Sequence, residues 1–169
     1  MMDRQKIIKS LVPHIIAVAI MFILPIIYAT PVLKGKILYQ NDILQGAGGS
    51  SELNEYREKE GEEALWTGTM FSGMPTFQMA LRHSNNIGHQ INKALRRSIK
   101  GPLSILFICM LGAYILFVSL KVNPYLSLIC AIGFGFSTFN IVSLEAGHNS
   151  KINSLGYFPA VLGGVILAY

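Results

Sequence analysis

Hydrophobic positions along the chain gather into four long runs that contain no aspartate, glutamate, lysine or arginine. These runs cover residues 10–33, 102–120, 122–144 and 152–169. A helix needs about 20 apolar residues to cross the hydrocarbon of a bilayer, so each run is long enough or nearly so. The pattern therefore predicts an all-α, multi-pass membrane protein, with spans at residues 10–29, 102–120, 125–143 and 155–169.

Polar segments of very different length connect these runs. Residues 1–9 form a short basic lead, and residues 30–101 form a long hydrophilic loop. Structureless connections of that length are uncommon, so we expect the loop to be functional or to hold helices of its own. Short polar turns at residues 121–124 and 144–154 are expected to join the later spans.

Within the long loop, the pattern predicts two short helices. Ser51 is expected to cap a helix over residues 52–60, after a flexible break at residues 46–51. Over residues 86–100, apolar residues recur on one helical face and basic residues on the other, which is typical of an amphipathic helix in the membrane interface. An ordered turn segment rich in Gly, Met and Pro is expected at residues 67–75.

Composition agrees with the membrane interpretation and excludes several other classes. Only 14% of the 169 residues are charged, whereas soluble domains usually carry about a quarter. This excludes a soluble globule, a disordered chain and a collagen-like chain. The net charge is +5, but no basic patch with interleaved aromatic residues occurs, so we expect no nucleic-acid partner.

The first run also suggests the orientation of the chain. It is longer than the apolar region of a cleaved signal peptide, about 7–15 residues, and we therefore expect an uncleaved helix with a cytoplasmic N-terminus. The long loop and the turn at residues 144–154 then lie together on the extracytoplasmic side of the cell membrane. Because the sequence stops at Tyr169 inside an apolar run, we expect it to be the N-terminal portion of a longer protein.

Asp42 is the first acid after the first span, and it is followed by Ile43 and Leu44. A carboxylate that is partly desolvated near the interface can act as a general base or bind a cation. The alternative is an aspartate that only caps a helix, and spacing alone favours that alternative.

The turn at residues 145–151 brings several reactive groups together between two apolar runs. Ionisable groups at a membrane boundary tend to mark function. Its candidate binding residues are Glu145, His148, Asn149 and Lys151. An imidazole can transfer protons or bind a metal ion, and an amine can hold a phosphate. The alternative is an ordinary polar turn at the lipid headgroups, and the few ligands argue against a zinc site.

The basic face of the predicted amphipathic helix includes Arg96 and Arg97. Such a face attracts anionic headgroups or the phosphate of a lipid-linked substrate. Ordinary anchoring of the helix in the interface is the alternative explanation.

Four short motifs resemble the YfhO family of bacterial multi-pass membrane proteins, in the form found among Bacteroidetes. They are Asn41-Asp42 and residues 62–67, 70–75 and 145–151, and their order and spacing also match. Members of that family are much longer and have many more spans, so this chain resembles their beginning.

The resemblance implies a glycosyltransferase-like bundle of the GT-C type, with short interfacial helices in a long extracytoplasmic first loop. Such enzymes transfer a sugar from a polyprenyl-phosphate carrier to a cell-envelope acceptor. By this fold-level analogy, Asp42 would be the catalytic base, and the turn at residues 145–151 would help to form the donor site. We therefore expect Asp42 and His148 to share one site. No second acid stands immediately beside Asp42, which leaves the participation of a divalent metal ion open.

Two other functions remain open at this stage. A transporter or flippase of lipid-linked saccharides would carry charged or Gly/Pro-broken sites inside the membrane, and Pro25 and residues 133–135 are the only such hints. A non-catalytic membrane subunit of an envelope assembly is the other alternative, and its polar turn would tolerate substitution.

Overall fold

The computed structural model describes residues 4–69, 71–77, 87–97 and 103–169. Within these ranges the chain is mostly helical, with one short hairpin whose two strands have two residues each. The helices are α1 (Arg4–Tyr28), α2 (Thr30–Leu33), α3 (Asn41–Gly49), α4 (Ser51–Glu60), α5 (Ile87–Arg97), α6 (Ser104–Ser119), α7 (Pro124–Gly135), α8 (Thr138–Ala146) and α9 (Asn149–Ala168). The strands are β1 (Trp66–Thr67) and β2 (Met74–Pro75), and they pair antiparallel.

Two of these helices are long and apolar enough to span a membrane. They cover Ile8–Tyr28, with 21 residues, and Asn149–Ala168, with 20 residues. The pair of α7 and α8 passes the same test but is bent by 40°, and α6 is a shorter apolar helix of 16 residues. The predicted all-α fold is thus confirmed with two candidate spans, while the GT-C type of bundle stays a prediction.

Helix α6 lies at the centre of the bundle. Its side chains Ile105, Leu106 and Met110 are fully buried. Helix α1 runs antiparallel to α6, because His14 lies 2.8 Å from the Tyr114 hydroxyl in the second half of α6, whereas the later Phe22 ring packs against Phe107 near the start of α6. The Tyr28 ring at the end of α1 packs against Phe136, directly after α7. The end of α1, the start of α6 and the end of α7 are therefore at one end of the bundle.

Glycines allow α6 and α9 to pack with their backbones in close contact. A Cβ on Gly112 would overlap the carbonyl oxygen of Gly156, and a Cβ on Gly163 would lie 3.0 Å from the Ser119 hydroxyl. The two helices are parallel. Cys109, in the first half of α6, contacts the Ile152 carbonyl near the start of α9, and Ser119 at the end of α6 lies beside Gly163 near the end of α9. Small residues of this kind are typical of close helix pairs in membranes. This packing fixes the position of the first residue of α9.

The predicted third span, residues 125–143, is broken in the structure. Helix α7 ends at Gly135, and α8 begins at Thr138. Asn140 is fully buried, and its side-chain amide donates to the carbonyl oxygen of Phe134 at 2.8 Å. The break is stabilised because this side chain satisfies a carbonyl at the end of α7 that a continuous helix would have used itself.

Residues 41–60 of the long loop are more regular than expected. Helix α3 continues to Gly49, where the sequence predicted a flexible break at residues 46–51. The predicted cap at Ser51 is also wrong, because Ser51 is already helical and its hydroxyl donates to the Gly48 carbonyl at 2.8 Å. The end of α4 at Gly61, with φ +73°, is confirmed. The predicted ordered turn at residues 67–75 contains paired residues at both of its ends, while residue 70 lies outside the described residues.

Helix α5 lies within the predicted amphipathic segment. Residues 86 and 98–100 of that prediction lie outside the described residues. The Tyr157 hydroxyl of α9 donates to the side-chain oxygen of Asn92 at 3.3 Å. This hydrogen bond connects α5 to the bundle.

Candidate functional site

The first turns of α3 and α9 meet at the end of the bundle where α9 begins. Asp42 is in the first turn of α3, and His148 directly precedes α9. The Asp42 Oδ2 atom lies 2.7 Å from His148 Nε2. The expected proximity of Asp42 and His148 is therefore present, although they are 106 positions apart in the chain (148 − 42).

Local backbone structure at the end of α8 places His148. Gly147 has φ +101°, in the left-handed region that favours glycine. The His148 N–H donates to the Ser143 carbonyl and the Gly147 N–H donates to the Leu144 carbonyl, which is the Schellman pattern of a helix end. The turn is shorter than the predicted residues 144–154, because α8 runs to Ala146 and α9 begins at Asn149.

Gly147 has a second role, because it packs against the start of α3. A Cβ at this position would lie 3.2 Å from the Asp42 Cβ and 3.3 Å from the Gln40 Cβ. Both distances are tighter than ordinary van der Waals contact. The glycine thus allows the aspartate and the turn to approach closely.

A pair of side-chain amides joins the two helix starts. Gln40 Nε2 donates to Asn149 Oδ1 at 3.0 Å, and Asn149 Nδ2 donates back to Gln40 Oε1 at 3.1 Å. Gln40 Nε2 also donates to the Leu144 carbonyl at 2.5 Å. Gln40 is buried, so these hydrogen bonds are shielded from water. The amide pair is a positioning element for the neighbouring Asp42 and His148.

The Asp42–His148 pair itself adds little to stability. Its side chains are 46% and 49% exposed, and exposed ion pairs typically contribute about 0–1 kcal/mol. The pair is therefore held in place by Gly147 and the amide pair, and both groups remain accessible to a ligand. Because both adjoin helix N-termini, the local backbone also favours negative charge at this point.

An apolar groove approaches this pair from the end of α1. One cavity of about 520 Å³ lies between the end of α1, at Tyr28, and the end of α8, at Leu144. Its lining is mainly apolar and includes the charged residues Lys36 and Glu145. A neighbouring cavity of about 360 Å³ shares Lys36 and extends to Gln40. The groove formed by the two cavities thus reaches the residue that orients the Asp42–His148 pair.

The other predicted site residues are distributed around this centre. Glu145 lines the groove, while the Lys151 amine lies 5.2 Å from the centre of the Phe139 ring. Arg96 is half-buried and Arg97 is exposed on α5. Within the described ranges, neither arginine forms an ion pair or hydrogen bond with Asp42 or His148. The structure brings together Asp42, His148 and Asn149, with Glu145 at the groove, but not the arginines.

Few side chains around Asp42 and His148 could bind a metal ion. Asp42 and His148 supply two donors, and within the described part of the chain no group of three or more His, Cys, Asp or Glu side chains comes together. The residues present thus provide an acid–base pair more readily than a metal cage.

Two residues of the site were missed by the sequence reasoning. Gln40 and Lys36 follow the first span, but neither belongs to a recognisable motif. The only available signal was that Gln40 is a polar residue directly after the sequence Ile37-Leu38-Tyr39. Its partner Asn149 is remote in sequence, so only the folded chain reveals the amide pair.

The fold and site define an α-helical protein with apolar helices that can span a membrane, and with an acid–base pair at one end of its bundle. Comparison with protein-family models, curated proteins and solved structures finds no match for this chain. Its function must therefore be argued from the site itself.

The amide pair can be tested by Gln40→Leu. We expect this substitution to lower the free energy of unfolding by about 1–3 kcal/mol, because the partly buried Asn149 amide loses its partner. Gln45→Leu, at an exposed position of α3, is the matched control and should change stability by less than about 0.5 kcal/mol. Thermal unfolding in detergent measures both, and equal losses would contradict the role of Gln40.

Proposed function

We propose that this chain is part of a membrane glycosyltransferase of the GT-C type, which transfers a sugar from a polyprenyl-phosphate carrier to a cell-envelope acceptor on the extracytoplasmic side. The observation that supports this proposal is the Asp42–His148 pair, with 2.7 Å between carboxylate and imidazole. The resemblance of the sequence motifs to the YfhO family points in the same direction.

In this reaction Asp42 acts as the general base. The acceptor hydroxyl gives its proton to the Asp42 carboxylate while its oxygen forms a bond to the anomeric carbon of the sugar. The bond between that carbon and the phosphate oxygen breaks, and the electron pair leaves with the polyprenyl phosphate. His148 orients the carboxylate through its Nε2 atom, 2.7 Å away. General-base catalysis of this kind contributes about 10²–10⁴-fold to the rate.

The apolar groove suits the lipid part of such a carrier. Its walls are mostly aliphatic and aromatic, and Lys36 is its only lysine or arginine within the described residues. Ile37 is 91% exposed beside it, as expected for a surface that contacts lipid. An isoprenoid chain in the groove would place its phosphate within reach of Lys36 and of the converging helix starts.

The more distant basic residues have a secondary role in this proposal. Lys151 follows the helix start at Asn149, and Arg96 and Arg97 lie on α5. Together with Glu145, His148 and Asn149 they form the proposed binding surface for the donor. Contact of the arginines with the phosphate would require α5 and the carrier to approach each other on binding.

The proposal is tested by a transfer assay on membranes from cells that express the protein from its complete open reading frame. The donor is a radiolabelled polyprenyl-phosphate sugar, and the product is label bound to an envelope acceptor. We expect label to be transferred only by membranes that contain the protein. Equal labelling by membranes without the protein would refute the proposed activity.

The proposal also requires a defined orientation, with the N-terminus in the cytoplasm. We expect a cysteine introduced by Ser150→Cys to react with an impermeant thiol reagent in intact cells. A cysteine introduced by Asn123→Cys, at the opposite end of the bundle, should react only after the cells are opened. The unsubstituted protein is the control, because its labelling measures the background from Cys109 and Cys130. The reverse pattern would place the site in the cytoplasm and contradict the proposal.

Transport of a lipid-linked saccharide is the second candidate, and the break between α7 and α8 favours it. Broken helices are common at the substrate sites of transporters, and this break bends the helix pair by 40°. Flipping moves the carrier across the membrane but leaves the sugar attached to it. Carrier translocation without acceptor labelling would therefore support transport.

A further inference from the structure

A separate cavity lies in the long loop, away from the Asp42–His148 pair. It measures about 460 Å³ and is formed between one face of α4 and residues 62–66. Small-molecule pockets typically measure about 300–1,000 Å³. Its floor is Leu53, which is 3% exposed. We call this cavity, with its walls Glu52, Tyr56, Glu62, Glu63 and Trp66, the aromatic–acidic pocket.

The indole of Trp66 is fixed on one edge and open on the rest. Trp66 pairs with Pro75 in the β1–β2 hairpin. A Cβ on Gly73 would lie 2.8 Å from the indole Nε1, so the glycine lets the hairpin turn pack against the ring. Trp66 is still 62% exposed. The ring is therefore already positioned at the wall of the pocket, and little side-chain entropy is lost when a ligand binds against it.

The carboxylates of the pocket are also positioned. Glu52 accepts a hydrogen bond from the buried Thr67 hydroxyl at 3.0 Å. Glu63 accepts from Arg57 at both carboxylate oxygens, over 2.8 Å and 2.5 Å. Within the described ranges, neither Glu52 nor Glu62 forms a salt bridge with a lysine or arginine. Among the described residues, three carboxylates and one guanidinium give this part of the loop a net negative charge.

From these features we infer that the aromatic–acidic pocket binds a compact organic ammonium ion, such as a quaternary amine. Aromatic faces attract such cations within about 6 Å of the ring centre, and Glu52 and Glu62, which pair with no lysine or arginine among the described residues, favour a positively charged ligand. A neutral saccharide would stack on Trp66 but would gain nothing from the negative charge of Glu52 and Glu62. This site does not depend on the proposed transfer activity.

The chain contains a single tryptophan, so its intrinsic fluorescence reports directly on this pocket. We expect choline chloride, added to the detergent-solubilised full chain, to change Trp66 emission in a saturable way. Sodium chloride and glucose at the same concentrations should have no saturable effect. Equilibrium dialysis with radiolabelled choline measures the binding independently of any optical change.

Glu62→Gln removes one exposed negative charge from the pocket, and we expect it to weaken choline binding about twofold to fivefold. Glu55→Gln makes the same chemical change at an exposed position of α4 and should leave binding unchanged. Circular dichroism checks that both variants are folded. Absence of retained choline in dialysis, an equal response to sodium chloride, a saturable response to glucose instead of choline, or equal weakening by the two substitutions would each overturn the inference.

Discussion

Replacing Asp42 by asparagine is expected to lower sugar transfer by about 10²–10⁴-fold, the usual contribution of a general base. Asparagine has the same shape as aspartate but cannot accept the proton of an attacking hydroxyl. Its side-chain oxygen still faces His148, and even as an ion pair an exposed contact of this kind contributes only about 0–1 kcal/mol to stability. The variant should therefore accumulate to the normal level and unfold at nearly the normal temperature, while labelled acceptor falls close to background.

The matched control for Asp42→Asn is Glu58→Gln, which removes one carboxylate from an exposed position of α4 in the same loop. Its transfer rate should equal that of the unsubstituted protein. Full transfer by Asp42→Asn would refute the catalytic assignment of Asp42, even if the protein proved to be a glycosyltransferase. Absence of transfer by the unsubstituted protein would instead refute the proposed function.

The helices of this fold could be predicted from the sequence because apolar length is a local property. The predicted spans at residues 10–29 and 102–120 correspond to α1 and α6, which are each one continuous helix. The run at residues 125–143 does not, since α7 and α8 are separated by a bend. Apolar residues continue on both sides of that bend, although α8 is less apolar than α7. The stabilising contact, from the Asn140 amide to the Phe134 carbonyl, depends on side-chain geometry that a hydropathy pattern does not contain.

The candidate site could be predicted only in part, for a related reason. Asp42 and His148 were recognisable because ionisable groups beside apolar runs are unusual. Gln40 was not, because its role depends on Asn149, which is 109 positions away (149 − 40). Similarly, the glycines at residues 46–49 suggested a break, but α3 continues through them to Gly49. Glycine lowers helix propensity by only about 1 kcal/mol per residue, and neighbouring structure readily overrides such a preference.

Close packing of α6 and α9 leads to the largest expected effect on stability. Gly112→Ala should destabilise the protein by about 1–3 kcal/mol or more, because the added methyl group overlaps the Gly156 carbonyl, and backbone atoms cannot move aside as a flexible side chain would. At about 2–4 °C per kcal/mol for a chain of this size, the midpoint of thermal unfolding should fall by several degrees.

Gly164→Ala provides a control, because the same chemical change at this position should not lower the stability of the protein. A Cβ on Gly164 has nothing within 4 Å, and alanine is favoured over glycine inside a helix by about 1 kcal/mol. Gly164→Ala should therefore leave the unfolding midpoint unchanged or raise it. Equal midpoints for Gly112→Ala and the unsubstituted protein would show that α6 and α9 do not approach as closely as the structure indicates. Because the same contact sets the position of Asn149, Gly112→Ala should also separate His148 from Asp42 and lower sugar transfer, whereas Gly164→Ala should not.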